Sequence, residues 1–173
     1  MANRSSAKEE HAYKRIDREI RNNSVKNLLF LYGREDFLIR WAVDALVRRY
    51  VNEACREMDF SRLDGTAVTL EQIRNNCETV PFLSEKRVVL ISDFKLMEGV
   101  KNKNLNEEEE KLLIAYLKQL PQDCMMILTA DGAGQGCPDR HVYCLAADAG
   151  PCFKVFVQLF KHGLNRLLLQ GQV

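Results

Sequence analysis

Runs of apolar residues recur along the chain and alternate with segments whose apolar positions fall three and four apart. Residues 27–32 are continuously apolar after Asn27, which predicts a strand covered on both faces. From Glu35 to about Tyr50 the period changes. Phe37, Leu38, Trp41, Ala42, Ala45 and Leu46 fall on one helical face, while Arg40, Asp44, Arg48 and Arg49 lie largely off it. A second strand is expected around Met58 to Leu63, closed by the turn signal Asp64-Gly65. Thr69 then caps a helix through Glu78, and Gln72 three residues on completes a capping-box pattern. "RVVLISDF", residues 87–94, is the clearest buried strand. After the polar stretch "LMEGVKNKNLNEEEE", Asn106 can cap a helix over Glu107 to Leu120, and "CMMILTA", residues 124–130, is a further strand. Ahead of all these, residues 7–22 read as a thinly apolar helix ended by Asn22-Asn23-Ser24.

Strands alternating with helices predict an α/β domain, a parallel sheet flanked by helices, over residues 1–130. The order stops at residue 131. "DGAGQGCPDRHVYCLAADAGPC" carries four glycines, two prolines and three cysteines with no period, and "FKVFVQLFKHGLNRLLLQ" then reads as one loosely amphipathic helix. Residues 131–173 are therefore expected to be an atypical tail that contributes little to the domain.

Composition narrows the function. A net charge of +1 gives no field to gather nucleic acid or anionic membrane. No run of about 18 apolar residues suggests a membrane span, and the N-terminus lacks the apolar stretch of a signal peptide, so a cytoplasmic location is expected. Cys55, Cys77 and Cys124 stand apart in apolar surroundings and are expected to be reduced and buried. Cys137, His141, Cys144 and Cys152 lack paired metal-ligand spacing, so no metal is assigned, although a small nucleic-acid-binding module built on them is a rival reading. His11, His141 and His162 read as surface residues, and the Glu107–Glu110 run as a solvated first turn favoured by the helix dipole. None of these groups forms a catalytic set.

The turn after the first strand poses its own question. Gly33-Arg34-Glu35-Asp36 occupies the place of a phosphate-binding loop, yet it has no second glycine and no Gly-Lys-Thr, and carboxylates stand where an anion would sit. It is read as a degenerate phosphate-loop position, Gly33, Arg34 and Glu35, that binds no nucleotide; no cofactor is expected. A nucleotide-binding α/β protein is the competing reading. Pro81-Phe82-Leu83, followed by the polar run Ser84-Glu85-Lys86-Arg87, is the other unusual stretch. In most proteins such an apolar pair before a strand is core. A proline on one side and four polar residues on the other also suit display at a helix end.

Three segments in order, "LLFLYGREDFLIRWAVDAL", "FSRLDGTAVTLEQI" and "TVPFLSEKRVVLI", resemble the delta subunit of bacterial DNA polymerase III, from about residue 15 to 131. The resemblance implies an AAA+-like N-terminal domain without a functional nucleotide site. It implies no catalytic site, although the family is part of a DNA polymerase holoenzyme. It also implies a role for Pro81, Phe82 and Leu83 as an apolar wedge that enters a pocket on the sliding clamp and favours the open ring. Partners would be the sliding clamp and other clamp-loader subunits, with DNA reached only through the complex. The family continues into helical and collar domains for which this chain has no room. A truncated gene whose last 40 residues are read in another frame would explain the tail.

Overall fold

The computed structural model describes residues 12–33, 36–94, 104–131 and 143–146. In chain order it contains α1 (Ala12–Arg21), β1 (Leu28–Gly33), α2 (Asp36–Tyr50), a single 3-10 turn (Glu53–Cys55), α3 (Arg56–Asp59), β2 (Phe60–Asp64), α4 (Leu70–Glu78), β3 (Arg87–Ser92), α5 (Glu107–Leu117), β4 (Cys124–Asp131) and β5 (Tyr143–Ala146). The strands form one sheet in the order β2-β3-β4-β1-β5. The first four are mutually parallel, as the alternation of strands and helices predicts, and β5 runs antiparallel to β1.

The continuous apolar runs are explained by two covered faces. Leu28, Phe30, Val89, Ile91, Met126 and Leu128 point into one buried cluster, with Ile73 of α4 and Leu113 and Leu117 of α5. Their chain neighbours Leu29, Leu31, Val88, Leu90, Met125 and Ile127 point the other way, against Ile39, Val43 and Leu46 of α2 and Ile16 of α1. A period-2 strand with apolar residues at every position has no solvent face.

Local signals hold where a side chain closes a helix end. Thr69 accepts from the Gln72 amide at 3.2 Å and Gln72 returns a bond to the Thr69 amide at 3.0 Å. Asn106 and Glu109 make the same reciprocal pair. Asn23, in the segment that ends α1, takes φ 52°. Gly65 is required by close approach: its N–H donates to the Ser92 carbonyl at 2.6 Å, and an added Cβ would meet that oxygen at 2.6 Å and the Phe94 Cα at 2.8 Å.

Several expectations need correction. Met58 and Asp59 do not belong to the second strand; they finish α3, and the strand starts at Phe60. The glutamate run is not uniformly solvated, because Glu110, one turn into α5, faces inward and is buried. The tail, read as having no clear period, supplies β5, which pairs Tyr143–Ala146 with Leu29–Tyr32. Its four residues are too short, and too mixed with small side chains, to show a period. Arg34, Glu35, His11, His141, His162, Cys137, Cys152 and the helix expected over 153–170 lie outside the described residues, as does most of the polar stretch before α5. Cys55, Cys77 and Cys124 are buried free thiols.

Candidate functional site

Sequence reasoning pointed to two places, and they lie at opposite ends of the sheet. Gly33 ends β1 and Asp36 opens α2, at the carboxyl end of the parallel strands. A crevice of about 540 Å³ runs from that end along α2 and the strands β2, β3 and β4, as far as Phe60 of β2 and Arg56 of α3. Its charged lining is balanced: Asp36, Asp44 and Asp93 face Arg40, Arg56 and Arg62. Arg40 stands 3.9 Å from Asp36, and Arg56 stands 3.8 Å from Glu53. Asp93, at the mouth, takes a left-handed backbone with φ 56°. Among the described residues this end offers no excess of positive charge to a phosphate chain.

The amino end is built differently. α4 stops at Glu78, where the Thr79 hydroxyl donates to the Asn75 carbonyl at 2.6 Å and Thr79 itself turns to an extended conformation. Pro81 follows and cannot donate, so the chain stays out of helix. Phe82 and Leu83 then stand 65% and 63% exposed, and Val80 72%. The pair is thus displayed, not packed into the core. Met58, the residue before Asp59 on α3, is 60% exposed as well.

The backbone beneath these side chains is held tightly. Asp59 is 1% exposed, and its carboxylate accepts three successive amides: Phe82 at 2.7 Å, Leu83 at 3.2 Å and Ser84 at 3.1 Å. Burial works against the charge, but the Ser84 hydroxyl and the three amides outweigh it and hold the carboxyl below the usual 3.8. With its folded pKa depressed, Asp59 contributes stability that is present above the ordinary carboxylate range and is lost as pH falls through the lowered value.

The Ser84 hydroxyl also accepts from the Asn52 amide at 2.9 Å. Glu85 pairs with Arg49 at 2.7 Å. The Lys86 amide donates to the Tyr50 carbonyl at 3.2 Å, and its ammonium to the Asn27 side chain and the Gln122 carbonyl. Arg87, read as part of a solvated turn, is instead 8% exposed. Its guanidinium donates to the carbonyls of Asn76 and Met58 and to the Ser61 hydroxyl, joining α4, α3 and β2. A planar fork of five donors can serve three elements at once, which a lysine ammonium cannot do in one plane.

Asp59 and Arg87 escaped the sequence reading. Asp59 falls inside the second strand as read from the sequence, and Arg87 belongs with the polar run at the start of the third, so neither stands out.

Among the described residues no group of three or more His, Cys, Asp or Glu is placed to hold a metal, and no helix is long and apolar enough to cross a membrane. The amino end thus combines a fixed backbone with large apolar side chains that stand outside it.

The family model for the DNA polymerase III delta subunit matches residues 29–135. The Bacillus subtilis DNA polymerase III subunit delta is 24% identical over 113 residues, which is 65% of this chain and 33% of that protein. The solved Bacillus subtilis DNA clamp loader delta protein shares the fold, with a TM-score of 0.64 and 21% identity over 73% of this chain and 38% of that one. The chain thus spans about a third of the length of its curated relative. With the parallel sheet in place and more than half of its residues matched by the family model, the chain belongs to the DNA polymerase III delta subunit family.

Proposed function

We propose that this chain acts as a clamp-loader delta-type subunit that binds the bacterial sliding clamp, with Phe82 and Leu83 as the wedge and Pro81 setting the turn that displays them. The observation that carries the reading is the exposure of both side chains, 65% and 63%, on a backbone whose amides are already bound. Family membership supports the choice of partner.

The wedge works by burial. Each large apolar side chain removed from water contributes roughly 1.5–3 kcal/mol, and a fixed loop loses little conformational entropy on docking. If the pocket on the clamp accepts the pair best when the ring interface is distorted, binding favours the open ring with no covalent step. The shift is limited by the difference in affinity for the two ring states. Other clamp-loader subunits would be partners in the complex, DNA would be reached only through that complex, and the work would take place in the cytoplasm.

The test is the double variant Phe82→Ala with Leu83→Ala in the full chain, measured against an immobilised sliding clamp. Affinity should fall about 100-fold or more while the thermal melt stays within a few degrees of the parent, the pattern of an interface hot spot. Unchanged affinity would remove the wedge from the mechanism.

A further inference from the structure

We propose that Asp59 is the positioning residue of the Phe82–Leu83 loop, a clasp whose carboxylate fixes the backbone so that the two side chains stand outward before any partner arrives. For its effect on binding, the inference rests on the docking role proposed above.

The contact is tertiary. Asp59 ends α3, and the amides it accepts lie 23, 24 and 25 residues further along the chain. A helix cap or local turn would not reach so far. Both oxygens are used, one by Phe82 and the other by Leu83 and Ser84. Three successive N–H groups converging on one anion form a concave nest, and that geometry fixes the peptide planes on either side of Phe82 and Leu83. Charge-assisted bonds of this kind are about twice as strong as neutral ones.

A carboxylate sunk to 1% exposure would be a poor choice for packing alone, since an apolar residue would fill the space without desolvating a charge. What it supplies is three acceptor positions facing the loop. Asparagine has the same shape but one oxygen, and its NH2 group would oppose donors instead of accepting from them. Ser84 completes the clasp: its hydroxyl bonds Asp59 on one side and takes the Asn52 amide on the other.

The experiment uses the full chain with three variants: Asp59→Asn, Ser84→Ala, and Phe82→Ala with Leu83→Ala. Amide hydrogen exchange is followed at residues 82–84 and at Val88 to Ile91 in β3 as internal reference, and affinity is measured against the sliding clamp. Asp59→Asn should speed exchange at residues 82–84 by about 100-fold with β3 unchanged, and weaken clamp binding about tenfold or more. Ser84→Ala should do both to a smaller extent, and it decides the matter by the same readouts if the asparagine variant does not fold. Exchange at residues 82–84 that stays as slow as in the parent would overturn the clasp. Faster exchange with full clamp affinity, while the double alanine variant loses binding, would overturn positioning as its purpose. If the double alanine variant binds as tightly as the parent, the docking reading falls, and the exchange data alone then accept or reject the clasp.

Discussion

The two ends of the central sheet differ in kind. At the carboxyl end, where open α/β sheets usually take their ligands, the crevice carries three carboxylates against three guanidiniums and a strained Asp93. At the amino end, before β3, four large apolar side chains stand more than half exposed within α3 and the loop, over a backbone with its amides engaged. Under the docking role proposed above, the chemistry of the side chains marks the working end and the fold does not. An exposed apolar pair on a rigid base is costly to keep unless something covers it, whereas a balanced polar crevice can simply be solvated.

The largest expected effect sharpens the contrast from below the loop. Arg87→Met keeps length and apolar bulk but removes the donors to Asn76, Met58 and Ser61. Two partly buried carbonyls would lose their partners, and urea unfolding should show a loss of about 2 kcal/mol. A loss under about 1 kcal/mol would mean that the amino end stands without this buttress. At the carboxyl end the effect should be smaller and of opposite sign. Asp93→Gly relieves a left-handed backbone, and stability should rise by about 0.5–1 kcal/mol, seen as a higher midpoint in the same titration. A decrease would show that the Asp93 side chain holds something at the crevice mouth, which would blur the difference between the ends. Smallest is Glu85→Ala, which cuts the bond to Arg49. Both side chains are more than a third exposed, so the change should be below about 0.5 kcal/mol and smaller still in high salt.

The sequence made the core and the helix starts readable, because their signals are local. Val88 to Ile91 are apolar at every position, which only a doubly covered strand requires, and Thr69 with Gln72 and Asn106 with Glu109 announce their helices three residues apart. The display of Phe82 and Leu83 was half readable. Proline and a polar run said that the pair sat in a turn, but not whether the side chains faced in or out. That depends on Asp59, 23 residues earlier, and no periodicity links an acid to amides at that distance. Glu110 was misread for a related reason: four glutamates in a row look alike, yet the helix turns one of them inward.

The strand β5 has a consequence for how the molecule meets copies of itself. Without it, β1 would be the rim of the sheet, with the amide and carbonyl groups of Leu29 to Tyr32 open along one side. A rim that apolar can recruit a strand from another chain, which is how soluble domains begin to aggregate or exchange segments. Tyr143 to Ala146 occupy those positions from within. Four residues of otherwise patternless sequence thus cover the free side of an apolar strand, and the rim there becomes the short β5 in its place.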